Sequence, residues 1–562
     1  MLMQTITTRF GTLQLLNAVL LAAIMTGSPV GARPNDHAND LHGAEPFVDT
    51  GVSVSASDIR DYVVSRTHTT LDSDVQKFYA DRKFRPVWMG NGANDEMAAS
   101  VLLALGHAYR EGLRQQDYDT DLAHWKKLTS SGAERDVGLT RALFHYAHDV
   151  RLGRVRPDQV YRDVRLPSQY FDAGPPLADA LKHQTIDGFL ADLPPPQPEY
   201  RALQIALAHY QSINAQGGWP VVPGSGAIVP GSKDARLKVL ARRLANEDPV
   251  LAGNPNSDAD DLRQAIVRFQ TRNGLAPTGK AGADTLNALN VPVAVRIRQI
   301  TLNMERWRWM PRTLEKSYVR VNVTDQSLDF IKDGDIALHS RVIIGTKATP
   351  TPILRTEVQS IVANPPWNIP GDLVAKKLLP RLKKDPGYLA TRGMTLVDGP
   401  ADDPHGKSVN WKELDGAKLP AVQQSPGSDN ALGAVMLDMP NDFDVYLHDT
   451  PNKKLFEQDT RELSNGCVRV EQIQALASLV LTGDADKGQD KLSDAIDSHE
   501  TQTLTLDNPV PVYMEYWTAI ADADGTTGFY PDRYGRDPVL QARLATPPPS
   551  MPVKSADIGQ VR

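Results

Sequence analysis

Cysteine is almost absent from the sequence, with one residue, Cys467, in 562. A single thiol excludes an internal disulfide, so the fold must rest on packed hydrophobic cores. The interior contains no apolar run approaching the roughly 20 residues that a membrane-spanning helix requires. Aromatic residues make up 6% of the chain, the formal net charge is -7, and no long basic run is interleaved with aromatics. Nucleic acid is therefore not an expected partner.

The length and composition indicate a globular protein with several domains. A chain of 562 residues exceeds what one hydrophobic core usually supports. Its hydrophobic fraction of 41% and charged fraction of 23% are ordinary for folded domains. Any single functional site should therefore lie in one part of a larger assembly of domains.

The first 32 residues have the layout of a secretory signal peptide. Arg9 precedes a largely apolar stretch from Leu13 to Met25, and small and turn-forming residues follow up to Ala32. We expect export with cleavage after Ala32. The alternative is an N-terminal membrane anchor, for which Gln14 and Asn17 make the apolar stretch weak. If the signal peptide is not cleaved, we expect this segment to be the only part of the protein that contacts the membrane.

The next part of the chain reads as a linker followed by helices. Residues 33–55 are polar and rich in Gly, Pro and Asp, which is typical of a linker. Residues 56–231 have mostly helical periodicity, and 293–315 resume it, so we assign both to one helical domain. Residues 232–292 form a compact helical module in which Leu262, Ile266 and Phe269 recur at helical spacing.

From residue 316 the hydrophobic period changes from helical to two. Val319, Val321 and Val323 alternate with polar residues, and Asp333-Gly334 is a hairpin turn signal before another predicted strand. This β-rich domain covers 316–517 and is interrupted by an insert at 366–433 that is rich in Lys, Pro and Gly. Residues 518–562 form a C-terminal extension that ends in a proline-rich flexible tail.

The strand Val445–Leu447 and the turn before Cys467 contain the residues with chemical potential. Tyr446 and His448 point to the same, less apolar side of the strand, so His448 lies at a strand end where an accessible base is expected. Gly466 leaves the backbone before Cys467 unobstructed. Cys467 would attack a carbonyl as a thiolate, with His448 taking its proton.

The turn before the cysteine has two further features. Backbone N–H groups of Asn465, Gly466 and Cys467 are candidates for an oxyanion hole. The histidine needs a group to orient its ring, and either Asp449 or a backbone carbonyl could do this. The structural alternatives are a buried Cys467 that acts as a small hydrophobe, a hydrogen-bonded structural histidine and a surface arginine. Export, the single thiol, the glycine turn and the neighbouring histidine together favour catalysis.

These residues resemble a known family signature. The segment His448-Asp449-x14-Ser464-Asn465-Gly466-Cys467-Val468-Arg469 is similar to the active-site segment of L,D-transpeptidases with a YkuD-type domain. The large periplasmic, YcbB-like members are the closer match, and the similarity extends over almost the whole chain after the predicted signal peptide. It includes Gln424–Gly433, Pro440-Asn441, Asn364-Pro365-x-Trp367 and Asp385–Tyr388.

The resemblance implies a multidomain α+β protein and an acyltransferase. It implies a β-rich catalytic domain with 366–433 as a capping element, a helical scaffold, and a small helical peptidoglycan-binding domain at 232–292. Cys467 would be the nucleophile and His448 the general base. The turn residues Ser464, Asn465 and Gly466 would shape the oxyanion site, and substrate would contact Tyr446, Arg469, Asp449 and Trp367.

The family joins peptidoglycan stem peptides, which are therefore the expected partners, together with other cell-wall synthesis proteins. A tetrapeptide donor would acylate Cys467 and release its terminal D-alanine, and the side-chain amine of another stem would then complete a 3→3 cross-link. A carbapenem is expected to acylate the same thiol. No metal or organic cofactor is required, because a thiolate and an oxyanion hole suffice for acyl transfer. The expected location is the periplasm.

Two other functions fit the same residues. A hydrolase would use Cys467 and His448 with water as the acceptor and would cleave stem peptides or lipoprotein linkages. A peptidoglycan-binding scaffold without activity is the other alternative, and the intact Cys/His pair argues against it. The helical module and the insert also have simpler interpretations, as a spacer and as a surface loop.

Overall fold

The structure is a computed structural model that describes residues 54–66, 69–89, 94–127, 129–254, 257–415 and 418–546. The predicted signal peptide, most of the linker and the proline-rich tail lie outside these residues. None of the helices within the described ranges is both long enough and apolar enough to cross a membrane.

The N-terminal region is helical and has its own apolar core, which includes Tyr79, Leu143 and Phe144. The buried carboxylate of Asp136 accepts the N–H groups of residues 87–89 and the Tyr79 hydroxyl, and so fixes an irregular segment against the longest helix. The helices are α1 (Ala56–Ser65), α2 (Thr70–Asp81), α3 (Asp95–Gly106), α4 (Asp119–Lys126), α5 (Gly132–Leu152), α6 (Pro157–Val160), α7 (Gly174–His183) and α8 (Ile186–Asp192).

Two further long helices connect this region to the β-rich part of the chain. They are α9 (Pro198–Ala215) and α14 (Val293–Arg308), close to the helical segments predicted there. Both contribute to an apolar cluster that also contains aromatic residues of the β-rich part. Trp307 stacks on Trp517 with ring centroids 4.4 Å apart. The helical scaffold therefore packs directly against the sheet.

Between α9 and α14 lies a small helical domain with a separate apolar core. Leu240, Ile266 and Leu286 are among its buried residues. Asp258 starts its main helix with a capping box, and Gly274, at φ +65°, follows the end of that helix. The helices are α10 (Leu237–Ala245), α11 (Pro249–Ala252), α12 (Ala259–Arg272) and α13 (Ala283–Leu289).

The β-rich part is built on one large mixed sheet. Its strands are β1 (Val164–Arg165), β2 (Ser317–Asn322), β3 (Ser327–Lys332), β4 (Asp335–Gly345), β5 (Ile353–Ala363), β9 (Val435–Asp438), β10 (Leu447–His448), β11 (Glu462–Ser464), β12 (Val468–Val470) and β13 (Gln502–Glu515). The order is β1-β5-β13-β2-β3-β4-β12-β10-β9, with β11 beside β4. A further pairing between β5 and β9 closes the sheet on itself.

Local sequence explains the first hairpin of this sheet. Asp333 and Gly334 both have positive φ, 52° and 94°, as the turn between β3 and β4 requires. Strand β1 was not expected, because it comes from the region predicted to be helical. It pairs in parallel with β5, so residues 164–165 join the sheet rather than the helical domain. Helices α18 (Ile473–Thr482) and α19 (Ala485–Asp497) cover part of the sheet.

The predicted insert is a small folded unit with its own apolar core around Trp411. It contains a three-stranded sheet in the order β6-β8-β7, with β6 (Trp367–Ile369), β7 (Met394–Leu396) and β8 (Val422–Gln424). Its short helices are α15 (Gly371–Leu373), α16 (Leu379–Leu382) and α17 (Tyr388–Thr391), and a π-helical turn spans Val374–Leu378.

Residues 518–546 of the C-terminal extension lie within the described part of the chain. It forms a hairpin of β14 (Ala519–Ala521) and β15 (Thr527–Phe529), followed by α20 (Arg536–Ala545). An ion pair between Arg306 and Asp537 connects α20 to α14. The predicted architecture of helical domains beside a β-rich domain with an insert is confirmed.

Candidate active site

Strand β10 brings the predicted histidine and cysteine to one face of the sheet. It runs parallel to β12, with Leu447 beside Val468 and His448 beside Arg469. Leu447 and Val468 are fully buried in the core, so His448 and Arg469 point to the opposite face. Continuing the alternation by one residue places Cys467 on that same face, diagonally across from His448.

Tyr446 lies between the histidine and the cysteine. Its hydroxyl and its backbone amide act on the Cys467 thiol and oppose the rise in pKa that burial causes there. Burial also raises the pKa of the Tyr446 hydroxyl, and the side chain of Trp367, from the insert, acts to lower it. The thiol donates to the carbonyl of Asp444, with 3.8 Å between sulfur and oxygen. Tyr446 therefore lies between the insert and the sulfur.

His448 is held as a neutral imidazole. Only 4% of the residue is exposed. Its ring packs edge-on against the ring of Tyr446, with 5.8 Å between the two ring centroids. Burial, followed by the positive charge of Arg469, lowers the His448 pKa to about 3, although the nearby carbonyls of Asp449 and Leu432 act in the opposite direction. Neither carbonyl makes a well-formed hydrogen bond to Nδ1, which is buried without a partner. The ring is thus available as a base at neutral pH.

Two opposing effects act on the pKa of the Cys467 thiol. Burial raises the pKa of the thiol, while Tyr446 and the Arg469 charge lower it. The net shift is upward, so the resting pair is a neutral thiol beside a neutral imidazole. No hydrogen bond joins Cys467 to His448 among the described residues. Such contacts often tighten only when substrate binds, so the diagonal placement is compatible with general-base catalysis.

Ser464 shapes the turn in front of the cysteine. Its hydroxyl accepts the Gly466 N–H at 3.2 Å and donates to the Cys467 carbonyl at 2.5 Å. Gly466 has φ +119°, a conformation that favours glycine. Thr351 donates its hydroxyl to the Gly466 carbonyl at 2.8 Å. Because the Gly466 N–H is already occupied, the predicted oxyanion hole depends on the N–H groups of Asn465 and Cys467.

A second layer of hydrogen bonds supports this turn. The Thr351 hydroxyl accepts the Gly345 N–H at 2.9 Å, and the Thr349 hydroxyl donates to the Ser464 carbonyl at 3.3 Å. Tyr534, from the C-terminal extension, donates to the Gly345 carbonyl at 2.8 Å. A Cβ on Gly345 would lie 2.2 Å from the Thr349 carbonyl oxygen, so this approach requires glycine. The C-terminal extension thus contributes to the site.

The Asp449 carboxylate has partners within the chain, and its predicted contact with substrate stays a prediction. Its carboxylate accepts the N–H groups of Ala434 at 3.1 Å and Thr450 at 2.7 Å, and it forms an ion pair with Lys453. A Cβ on Gly433 would lie 2.5 Å from this side chain. The carboxylate therefore fixes the chain after β10, and its negative charge, like the nearby backbone carbonyls, acts to raise the His448 pKa.

Comparison with known proteins follows the same division of the chain. Residues 316–492 match the family described as "L,D-transpeptidase catalytic domain" (YkuD). The chain contains a YkuD-type L,D-transpeptidase catalytic domain. Residues 73–207 match a family described as "Scaffold domain", and residues 238–289 match "Putative peptidoglycan binding domain".

Individual relatives carry the same name. A curated protein from Haemophilus influenzae named "Putative L,D-transpeptidase" is 35% identical over 240 residues, which is 43% of this chain and 48% of that protein. The match thus spans about half of the relative's length. Among solved structures, the L,D-transpeptidase (Yku) from Stackebrandtia nassauensis is 16% identical, covering 52% of this chain and 95% of that one, with a TM-score of 0.20. The Ldtfm–avibactam carbamoyl enzyme is 12% identical, covering 50% and 97%, with a TM-score of 0.18.

The transpeptidase domain brings most of the predicted site residues together. Cys467, His448, Tyr446 and Arg469 share one face, and Arg469 Nε is buried without a hydrogen-bond partner. Trp367 lies close enough to Tyr446 to act on the pKa of its hydroxyl, and its predicted contact with substrate stays a prediction. The roles of Cys467 as nucleophile and His448 as base stay predictions.

Sequence reasoning missed three residues that the structure brings to the site. Thr351 and Tyr534 support the nucleophile turn from distant parts of the chain. Lys377 of the insert donates to the Asn465 side-chain oxygen, with 2.9 Å between nitrogen and oxygen. No local motif marks these residues. The lysine-rich composition of the insert was the one available signal, and it identified no single residue.

Proposed function

We propose that the protein is a peptidoglycan L,D-transpeptidase that forms 3→3 cross-links through a thioester on Cys467. The transpeptidase and peptidoglycan-binding domains support peptidoglycan as the substrate class. The observation that carries the proposal is the shared face of Cys467, Tyr446 and His448, with the sulfur hydrogen-bonded and the imidazole neutral. This arrangement supplies a nucleophile and a base without a cofactor.

In the first step the thiol attacks the carbonyl at the L-centre of the third stem residue. The thiol proton passes to His448 as the sulfur–carbon bond forms, and backbone N–H groups of Asn465 and Cys467 stabilise the oxyanion. Collapse of the tetrahedral intermediate breaks the peptide bond, and the imidazolium returns the proton to the departing D-alanine amine. The product is a thioester on Cys467.

In the second step the side-chain amine of another stem's third residue attacks the thioester. His448, neutral again, accepts a proton from this amine and returns it to the sulfur, so that the sulfur–carbon bond breaks and the Cys467 thiol is regenerated as the new amide forms. A neutral resting histidine suits both steps, because the same ring must accept a proton first from sulfur and then from nitrogen.

Competition from water is the main difference between a transferase and a hydrolase. The insert contacts the site through Trp367 and Lys377, so it is positioned to limit access of water to the thioester. This favours transfer to an amine over hydrolysis. The substrate lies outside the cytoplasmic membrane, so the proposal includes export to the periplasm, in agreement with the predicted signal peptide.

Product analysis tests the proposal. The full chain is incubated with disaccharide tetrapeptide, and the products are separated and identified by mass spectrometry, with Cys467→Ala as the control. We expect cross-linked dimers, free D-alanine and neither product from the control. Shortened tripeptide monomers without dimers would establish the hydrolase instead, and unchanged tetrapeptide would refute both activities.

A further inference from the structure

The insert carries a local excess of positive charge, although the whole chain has a formal net charge of -7. Residues 371–392 contain two aspartates, Asp372 and Asp385. The same segment contains six basic residues, Lys376, Lys377, Arg381, Lys383, Lys384 and Arg392. The proposed substrate is an anionic peptide, so the distribution of these charges around the site is informative.

Two adjacent lysines differ in their partners. Lys376 forms an ion pair with Asp372, at 3.3 Å between nitrogen and oxygen. Lys377 has no carboxylate at ion-pair distance anywhere in the described ranges of the chain. Its ammonium group donates instead to the neutral side-chain oxygen of Asn465, at 2.9 Å. Lys377 is therefore a cation without a counter-charge among the described residues. The residue that it contacts, Asn465, lies two positions before the nucleophile in the turn.

The backbone of the insert holds Lys377 in this position. Proline at position 380 has no N–H and clashes with the carbonyl four residues earlier, so an ordinary α-helical turn cannot form here. The chain adopts a π-helical turn over Val374–Leu378 instead, in which the Leu379 N–H bonds to the Val374 carbonyl. Val374, Leu378 and Leu379 are buried in the core of the insert, which anchors the turn while Lys377 remains exposed.

We propose that Lys377 binds a carboxylate of the stem peptide and orients it for attack by Cys467. This inference rests on the proposed function. An ammonium group has three N–H donors, and the contact with Asn465 uses one of them. The remaining donors are exposed beside the nucleophile turn, and a substrate carboxylate there would supply the missing negative charge. Lys377 is thus a specificity-determining residue contributed by the insert.

The test is a cycle between the lysine and the substrate carboxylates. Cys467 is acylated with the unmodified tetrapeptide and, separately, with tetrapeptides in which one carboxylate at a time is amidated. Intact-mass spectrometry measures the rate of each acylation. Lys377→Met should slow acylation by the unmodified peptide roughly tenfold, the size typical of a charged hydrogen bond. Amidation at the recognised carboxylate should slow the wild type to a similar extent and should have little further effect on Lys377→Met.

Three controls make the outcome specific. Lys376→Met removes a neighbouring charge that is already paired, and it should acylate at the wild-type rate. Lys377→Arg keeps the charge and should recover part of the lost rate. Alkylation of Cys467 by uncharged iodoacetamide reports the reactivity of the thiol itself, and it should be equal in wild type and Lys377→Met.

The outcomes separate this inference from the proposed function. Equal acylation of wild type and Lys377→Met, or a fully additive effect of amidation, would overturn the role of Lys377 and leave the transpeptidase intact. A wild-type protein that no stem peptide acylates would overturn the proposed function and the role of Lys377 together.

Discussion

The charge state of His448 gives the sharpest prediction about how this site works. Its pKa of about 3 contrasts with an ordinary histidine near 6.5. At pH 5.5 an ordinary histidine is about 90% protonated, whereas His448 is less than about 1% protonated. A general base with the ordinary value would lose about tenfold in rate between pH 7.5 and 5.5. We expect Cys467 acylation to change less than twofold on account of the base over this interval.

The pH dependence of acylation follows from the lowered pKa of His448. Burial and Arg469 disfavour the protonated ring, so the active, neutral form persists as the pH falls and is lost only on approaching pH 3. The thiol behaves in the opposite sense, because burial raises the Cys467 pKa. Direct alkylation, which requires the thiolate, should therefore keep rising by about tenfold per pH unit up to at least pH 8.5.

Two time courses on the same protein measure these profiles. Intact-mass spectrometry follows acylation by a carbapenem from pH 4.5 to 8.5, and alkylation by iodoacetamide is measured over the same range and normalised to a small free thiol. A nearly flat acylation profile with a rising alkylation profile is the expected result. An acylation profile that falls to half near pH 6.5, or alkylation that levels off below pH 7, would refute the neutral thiol and neutral imidazole.

Two further substitutions test the packing and the hydrogen bonds around the nucleophile. Gly433→Ala should cost about 2–4 kcal/mol in stability, because the new Cβ meets Asp449 at 2.5 Å and φ is +66°, whereas Gly483→Ala, at φ +70° with open space, should cost about 1 kcal/mol. Thermal unfolding of the full chain compares the two, and equal losses would contradict the steric argument. Trp367→Phe should slow thiol alkylation about two- to tenfold by removing the polar interaction between the indole and the Tyr446 hydroxyl. In a Tyr446→Phe background the same change should have no effect, and an additive loss would contradict an influence of Trp367 on the thiol through Tyr446.

Much of the fold could be predicted from local periodicity. The change of period near residue 316 marks the start of the sheet, and Asp333-Gly334 marks its first turn. Strand β1 could not be predicted, because two residues carry no period and their pairing with β5 is a long-range choice. The insert was recognised as an interruption, but its separate core around Trp411 depends on contacts that composition does not encode.

The placement of Cys467 and His448 on one face could be predicted because both lie in short segments with a clear chemical pattern, and their roles as nucleophile and base stay predictions. The hydrogen bonds from backbone N–H groups to Asp449 could not be predicted, since adjacency in sequence to His448 does not fix where a carboxylate points. Its contact with substrate stays a prediction. Tyr446 was predicted to contact substrate, and the structure adds its contact with the sulfur. Lys377 lies 88 residues from Asn465, a separation that only the folded insert closes.

The central claim is that Cys467 becomes covalently acylated by a stem peptide, and intact-mass spectrometry tests it most directly. The full chain is mixed with tetrapeptide, quenched in acid within the first turnovers and compared with Cys467→Ala. We expect an adduct on the wild type with the mass of the tetrapeptide minus D-alanine, and none on the variant. No adduct on the wild type, or an equal adduct on Cys467→Ala, would contradict it.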